Sequence, residues 1–126
     1  MSTISSYRDL IVWQKSMTLA KEIYMLTNKF PDNERFGLTQ QLKRSAISIP
    51  SNIAEGWGRN TNGYFVQFLN VSKGSLCEAE TQLSLAVDLN FIQQDDCNEA
   101  FELSNETGKM LKALIKKIES TDSLKT

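Results

Sequence analysis

The sequence predicts an all-α protein: an antiparallel up-down-up-down four-helix bundle whose second helix is kinked. Apolar residues recur every three or four positions along four long segments, which is the period of an amphipathic helix. Only two prolines and six glycines occur among 126 residues, so few positions break a helix. Connections of about three to seven residues join the segments, and such short connections place consecutive helices side by side and antiparallel. The length fits one domain, residues 1–126.

The first helix is predicted over residues 7–28. One of its faces carries apolar side chains, those of Leu10, Trp13, Met17, Ala20, Ile23 and Tyr24. The helix is expected to end at Phe30, because the residue before a proline is driven out of the α region and Pro31 follows. Asp32 or Asn33 is placed to cap the next helix by accepting hydrogen bonds from its free N–H groups.

The second helix is predicted over residues 34–57 and contains a helix-breaking residue, Pro50. Its apolar face consists of Leu38, Leu42, Ser45 or Ala46, Ile49, Ile53 and Trp57. Pro50 stands in the middle, where a proline removes one backbone hydrogen bond and frees the carbonyl of Ala46, at a cost of about 3 kcal/mol. The helix is expected to bend there rather than to end, because the freed groups have polar side chains beside them, those of Ser48, Ser51 and Asn52.

Two glycines follow the proline. Gly56 and Gly58 are expected to leave room for a neighbouring backbone and then to permit the turn, with Gly58 as the helix C-cap. Asn60 or Thr61 is expected to cap the third helix. Pro50, Gly56 and Gly58 are therefore interpreted as the structural residues of the kink.

The third and fourth helices are predicted over residues 62–89 and 95–118, with a frayed tail at 119–126. The inner face of the third helix consists of Phe65, Phe68, Leu69, Ser72, Leu76, Ala79, Leu83 and Ala86. Gly74 beside Ser75 predicts that two helices approach each other closely there. The apolar stripe of the fourth helix is thinner and more polar in its middle.

The chain is expected to lie in the cytoplasm and to have no membrane partner. Its first ten residues, MSTISSYRDL, lack the apolar core of a signal peptide, and no stretch approaches the roughly 18 apolar residues of a membrane span. The two cysteines, Cys77 and Cys97, are too few for a disulfide framework. Both are predicted to be buried thiols in a reducing compartment.

Catalytic chemistry has little support in the composition. The chain contains no histidine, which is the usual general base and the commonest metal ligand. Four carboxylates, those of Asp95, Asp96, Glu99 and Glu102, offer ligands for Mg²⁺. The alternative is that Asp95 or Asp96 opens the fourth helix and that the acidic group stabilises its N-terminus. The protein is therefore expected to be no enzyme and to bind no cofactor, with a carboxylate-dependent metal enzyme as the remote alternative.

Three motifs occur in order along the chain. The most specific is S-N-I-A-E-G-x-G-R at 51–59, followed by F-x-x-F-L at 65–69 and G-S-L-x-E-A at 74–79. With their surroundings, over roughly residues 7–92, they resemble the 23S rRNA intervening-sequence proteins, also called four-helix bundle proteins. The last helix is similar only in length and polarity.

The resemblance implies a small, all-helical bacterial protein that assembles with itself into a ring, typically a homopentamer. It supplies no agreed catalytic residues. A distant similarity further links this family to accessory proteins of diversity-generating retroelements, which form five-fold helical barrels and bind nucleic acid and a reverse transcriptase.

The 51–59 run is the candidate contact with a partner subunit or a ligand. Its polar, charged and aromatic side chains are those of Asn52, Glu55, Trp57 and Arg59. Glu55 and Arg59 are spaced to pair across one helical turn. The alternative for the whole run is structural: a kinked core helix and its C-cap.

The basic residues are distributed unevenly, although the net charge is −1. Residues 1–60 carry a balance of +3 and residues 61–126 a balance of −4. A protein that coats nucleic acid needs a basic excess or a concentrated patch. Two strips are therefore the candidate contacts with RNA or DNA, one with Lys43, Arg44 and Arg59, the other with Lys112 and Lys116. For the second strip the alternative is a cationic last turn that complements the helix dipole.

These observations lead to two functional hypotheses. The first is a non-enzymatic, homo-oligomeric helical scaffold, associated with rRNA or ribosomes or with a protein partner. The alternative is a nucleic-acid-binding accessory protein of a reverse transcriptase or a similar element.

Overall fold

The computed structural model describes the backbone of residues 4–125 and the side chains of residues 4–121. This part of the chain has four α-helices and no strand: α1 (Ile11–Thr27), α2 (Leu38–Gly58), α3 (Asn62–Asp88) and α4 (Asn98–Lys125). Short 3₁₀ turns precede three of them, at Tyr7–Asp9, Asp32–Glu34 and Gln94–Cys97. The all-α prediction is confirmed.

The helices pack as a bundle in which neighbours along the chain are also neighbours in space. α1 packs against α2 and α4, and α3 packs against the same two helices, so α2 and α4 occupy diagonal corners. Residues 59–61 alone connect α2 to α3, and so short a connection requires these two helices to run antiparallel. All four helices bury apolar side chains in one core, among them Leu19, Ile23, Leu42, Ile49, Ile53, Leu69, Leu83 and Leu111.

α1 begins later than predicted, because the chain before it forms a separate turn. The hydroxyl of Ser6 accepts a hydrogen bond from the N–H of Arg8 at 3.1 Å, and the carboxylate of Asp9 accepts one from the N–H of Ser6 at 3.2 Å. This reciprocal cap closes a 3₁₀ turn. Leu10 then has an extended backbone and a buried side chain, and α1 starts at Ile11 rather than at residue 7.

The N-terminus of α2 also differs from the prediction. Asp32 and Asn33, the predicted caps, lie in the preceding 3₁₀ turn. The Oε1 atom of Glu34 instead accepts a hydrogen bond from the N–H of Leu38 at 3.1 Å, and α2 begins at Leu38 rather than at residue 34. A glutamate side chain is long enough to satisfy a first-turn N–H from outside the helix.

α2 continues through Pro50 without a break, as predicted. The Nδ2 group of Asn52 donates to the carbonyl oxygen of Ser48 at 2.8 Å, and the hydroxyl of Ser72 on α3 donates to the carbonyl oxygen of Ile49 at 2.8 Å. These acceptors are the two carbonyls just before the proline. Side chains of α2 itself and of the neighbouring α3 therefore both stabilise this part of α2. The bend at Pro50 stays a prediction.

The turn between α2 and α3 depends on Asn60 and not on the predicted Gly58. Gly58 is the last residue of α2, and no glycine among the described residues has a positive φ. Asn60 has a φ of 63°, in the left-handed region that asparagine tolerates better than most residues. The hydroxyl of Thr61 then accepts a hydrogen bond from the N–H of Tyr64 at 3.3 Å and caps α3, which was one of the two predicted alternatives.

α4 is bounded differently from the prediction at both ends. It starts at Asn98, after a 3₁₀ turn that contains Asp95 and Asp96, rather than at residue 95. It continues past Ile118 to Lys125, through the segment predicted to fray, while residue 126 lies outside the described residues. None of the described helices combines the length and the hydropathy that a membrane span needs.

The two cysteines have different environments. Cys97 is buried, as predicted, and burial raises the pKa of its thiol. Cys77 is exposed, so the prediction is wrong for this residue. The reason is its position on α3: it follows the buried Leu76 by one residue and therefore lies on a different face of the helix.

Candidate functional site

α2 and α3 approach each other very closely at Gly56, which is buried. A Cβ atom at position 56 would lie 2.7 Å from the Cβ of Phe68 and 3.1 Å from Cδ1 of Phe65. Only a residue without a side chain leaves room for α3 there. At Gly58, by contrast, apart from the chain neighbours and the backbone of its own helix, no described atom would lie within 4 Å of an added Cβ. Gly56 therefore serves the contact between the helices and Gly58 does not.

Trp57 is half-buried and packs within its own chain. Its ring lies edge-to-face on the ring of Phe65, with the centroids 5.9 Å apart and the planes at 86°. Trp13 packs on Tyr7 in a similar way, with the centroids 5.3 Å apart. Both tryptophans therefore stabilise the bundle, and only part of each ring is available to a partner.

Glu55 and Arg59 pair across one turn of α2. The Nη2 atom of Arg59 lies 3.2 Å from Oε1 of Glu55, and both side chains are about half exposed. The guanidinium also lies over the rings of Phe68 and Tyr64, at 5.2 and 6.0 Å from their centroids. Such an exposed pair contributes about 0.3–0.5 kcal/mol. Because a carboxylate already contacts Arg59, its charge is less available to a phosphate than that of an unpaired arginine.

A groove with a volume of about 710 Å³ follows the outer face of α2. We call it the α2 groove. Its lining consists of three cationic side chains (Arg35, Lys43, Arg44), three large apolar ones (Tyr24, Phe36, Ile47) and five uncharged polar ones (Thr39, Gln40, Ser48, Ser51, Asn52). It thus contains three of the residues predicted to contact a partner or nucleic acid, Lys43, Arg44 and Asn52.

Two aromatic rings of the α2 groove contact cations. The Nζ atom of Lys43 lies 4.9 Å from the ring centroid of Tyr24, and the guanidinium of Arg35 lies 5.5 Å from that of Phe36. Phe36 is nevertheless 81% exposed. Sequence reasoning missed Arg35 and Phe36 because it placed them inside the second helix, off its apolar face. The sequence did contain a signal for them: an aromatic residue stands next to an arginine, outside the predicted apolar face of every helix.

The outer face of α3, together with its C-cap residue Leu89, carries four large apolar side chains, each between 46% and 52% exposed: Tyr64, Val71, Leu85 and Leu89. We call them the α3 outer stripe. The spacings from Tyr64 to Val71 and from Val71 to Leu85 are multiples of seven residues, so these three follow one line along the helix. Gly74 lies one turn from Val71, and apart from its chain neighbours and the backbone of its own helix no described atom would lie within 4 Å of a Cβ there. The close helix approach predicted at Gly74 beside Ser75 is made by Ser75, whose hydroxyl lies 2.8 Å from that of Ser48 on α2, while Gly74 itself is exposed.

The second basic strip lies far from the first. Lys112 and Lys116 are exposed on α4, diagonally across the bundle from α2. Lys112 also lines a smaller groove of about 310 Å³ between α3 and α4, together with Lys73, Lys109 and Glu80. The structure therefore does not combine the two predicted strips into one surface.

Of the four predicted carboxylates, Asp96 has structural contacts in the 3₁₀ turn before α4, where Asp95 also lies, while Glu99 and Glu102 lie within α4. Asp96 accepts a hydrogen bond from the N–H of Gln93 at 2.9 Å, and its Oδ1 atom lies 2.9 Å from the Nζ of Lys29. The hydrogen bond from Gln93 and, after it, the contact with Lys29 lower the pKa of Asp96 below its usual value. Within the described residues, no three acidic, cysteine or histidine side chains are grouped so that they could hold a metal ion.

Residues 8–113 match the family described as 23S rRNA-intervening sequence protein. The chain belongs to this family. The resemblance seen in the three sequence motifs is thereby confirmed, and the match includes the α2 groove and the α3 outer stripe.

A solved structure shows the same fold. It is the crystal structure of a protein of unknown function from the S23 ribosomal protein family of Bacteroides thetaiotaomicron, with 27% identity and a TM-score of 0.78. The match covers 84% of this chain and 99% of that one. A comparison with curated proteins finds no match. The intervening-sequence family and this relative thus define the fold. The activity has to be inferred from the surfaces of the bundle.

Proposed function

We propose that this member of the 23S rRNA-intervening sequence protein family is a non-enzymatic cytoplasmic scaffold that assembles with itself and associates with RNA. The observation that carries the proposal is the α3 outer stripe, an apolar line on the surface of the bundle with Gly74 beside it. A ring of five copies is the assembly that we favour, following the expectation from the sequence resemblance. We expect no catalytic activity.

The α3 outer stripe is more extended than the scattered apolar residues of ordinary protein surfaces, which need no partner. From Tyr64 to Leu89 the helix rises about 38 Å. Multiples of seven residues are the spacing at which two helices pair over several turns. Glu78 occupies the intermediate position on this line, so the apolar contact has two parts, one at Tyr64 and Val71 and one at Leu85 and Leu89.

Gly74 supports a second copy of the chain as the occupant. A glycine in the exposed interior of a helix is about 1 kcal/mol less favourable than alanine. No contact among the described residues requires a glycine at this position. Because Gly74 has no side chain, a helix from another copy would pack closely beside Val71, just as α3 packs closely on Gly56 of α2.

Light scattering on the purified chain at micromolar concentration tests the assembly. We expect a mass that is a multiple of the 14.3 kDa chain, five-fold for the favoured ring. A Val71→Asp, Leu85→Asp variant should be monomeric with an unchanged helical circular dichroism spectrum, because burying an unpaired carboxylate in an apolar contact is costly.

The matched control is Ile11→Asp, Met25→Asp, which places the same charges on exposed apolar residues of α1. A monomeric parent would contradict the scaffold proposal, and a control that dissociates as fully as the α3 variant would contradict the role of the stripe. A dimeric parent would contradict the ring.

The RNA part of the proposal is supported by the cations of the α2 groove and by the family's description. The alternative function, an accessory protein of a reverse transcriptase, would use the same groove. The position of the gene separates the two: a place within an rRNA gene favours the scaffold, and a neighbouring reverse-transcriptase gene favours the accessory protein.

A further inference from the structure

We infer that the α2 groove is a binding site for single-stranded RNA, in which a base stacks on Phe36 and phosphates contact Arg35, Lys43 and Arg44. The inference rests on the RNA association in the proposed function and names its site and its class of ligand. It does not depend on the α3 outer stripe, because the groove is formed within one copy of the chain.

The charge of the α2 groove differs from that of the whole protein. Three cations and no carboxylate are among the described residues that line it, whereas the whole chain has a net charge of −1. Two acidic residues beside the groove are already engaged: Glu34 accepts from the N–H of Leu38, and Glu55 pairs with Arg59. Asp32 lines the adjoining pocket, where Arg35 and Lys43 outnumber it. The groove is therefore complementary to a polyanion.

Phe36 gives the groove a flat surface for a base. Its ring is 81% exposed even though the guanidinium of Arg35 lies 5.5 Å from its centroid. Bases stack on such exposed rings in proteins that bind single strands, and cations beside the rings contact the backbone. Lys43 is held over the ring of Tyr24 at 4.9 Å, which places its ammonium at the wall of the groove.

A single strand fits these features better than a duplex does. The bases of a duplex are stacked on one another, so an exposed ring finds no free base face there. From Thr39 to Asn52 the groove follows α2 for about 20 Å, which is long enough for several nucleotides of a single strand.

RNA is favoured over DNA by the polar lining, in which Thr39, Gln40 and Ser51 present hydroxyl and amide groups along the groove. The hydroxyl of Ser48 and the Nδ2 group of Asn52 also line it, but they are engaged within the chain, with each other and, for Ser48, with Ser75. The 2′-hydroxyl, which DNA lacks, is both a donor and an acceptor for hydroxyl and amide groups.

Fluorescence anisotropy with a labelled ten-nucleotide RNA without self-complementarity tests the inference on the full chain. We expect salt-sensitive binding that is tighter than the binding of DNA of the same sequence or of duplex RNA. Phe36→Leu should weaken binding about tenfold, because it keeps an apolar side chain and removes the ring. Phe36→Trp should bind at least as tightly as the parent.

The charge contacts are tested with two matched variants. Arg35→Gln, Arg44→Gln removes two positive charges from the groove and should reduce the slope of log affinity against log salt by about 1.4, about 0.7 for each phosphate contact to a single strand. Lys112→Gln, Lys116→Gln removes two charges from α4, at the opposite corner, and should leave affinity and slope unchanged.

Several results would overturn the inference: no binding at low salt, Phe36→Leu binding as the parent does, or the α4 variant losing as much affinity as the groove variant. Equal affinity for DNA or duplex RNA, or displacement of the RNA by polyglutamate at the same charge concentration, would also overturn it. Light scattering on the same samples separates this outcome from the proposed assembly. An oligomer that binds no RNA contradicts the groove site and the RNA part of the proposed function but leaves the assembly standing. An oligomer whose RNA binding is unchanged by the groove substitutions contradicts the groove site alone, and a monomer that binds RNA contradicts the assembly alone.

Discussion

Gly56 of α2 and Phe68 of α3 are so close that a methyl group at position 56 would lie 2.7 Å from the Cβ of Phe68. Both atoms are attached directly to backbone, so no rotation of a flexible side chain relieves the contact. The separation of the two helices is therefore set by the absence of a side chain at this one position.

Gly56→Ala should destabilise the protein by about 1–3 kcal/mol, because the added methyl group forces α2 and α3 apart in a packed interior. Urea denaturation followed by circular dichroism measures the change. Gly58→Ala is the control: an added Cβ has open space there among the described residues, and alanine is a better helix former. If both substitutions shift the urea midpoint equally, the close contact does not account for Gly56.

Pro50→Ala should leave the bundle folded, with an equal or larger helical signal. The substitution restores an N–H group that can reach the carbonyl of Ala46, and it removes the ring that opposes a straight helix. We expect the straighter α2 to weaken the assembly, which light scattering at decreasing protein concentration measures. A variant that dissociates at the same concentration as the parent would show that the predicted bend has no role between copies.

Asp96 should make stability depend on pH in the acidic range. Its pKa is lowered in the folded protein from an ordinary value of 3.8, by the N–H of Gln93 first and by Lys29 after it. The unfolded chain therefore binds the proton more readily, so the contribution is fully present above about pH 5 and is lost as the pH falls through the lowered pKa. Asp96→Asn should reduce stability at pH 7 and flatten its decline between about pH 5 and pH 2.

Denaturation at several pH values measures this difference, with Asp95→Asn as the control at the neighbouring position. Parallel stability curves for the parent and Asp96→Asn would count against the contribution of these contacts. A stronger decline in the variant would reverse the sign of the prediction and would also contradict it.

Much of the fold could be predicted from the sequence, because the burial of apolar side chains dominates the choice of helix faces. Leu42, Ile49 and Ile53 on α2 and Leu69 and Leu83 on α3 are buried as their spacing predicts. The ends of the helices were less predictable. Each end is decided by one or two hydrogen bonds of about 1 kcal/mol, and several side chains compete for them, as Glu34 does with Asp32 and Asn33 at α2.

The surfaces were harder to predict than the core. Helical period assigns Tyr24 to the inner face of α1, yet its ring lies at the edge of the α2 groove beneath Lys43. Helical spacing could not identify Phe36 as a surface residue, because it lies in the non-helical connection between α1 and α2. Two helices were expected to approach closely at Gly74, but its neighbour Ser75 makes that approach, with its hydroxyl 2.8 Å from that of Ser48, and no described helix covers Gly74. Spacing shows which face a residue occupies, but it does not show what covers that face.

The packing of the two tryptophans has a consequence for optical work on this protein. Trp13 packs on Tyr7, and the 3₁₀ turn that contains Tyr7 packs against α2. Ser5, which comes just before this turn, lines one pocket together with Trp57. Both indoles thus lie at the same end of the bundle, and Phe36 precedes the opposite end of α2, about 30 Å away along the helix. Native tryptophan emission therefore reports on one end only, and an indole introduced at position 36 would report on the other.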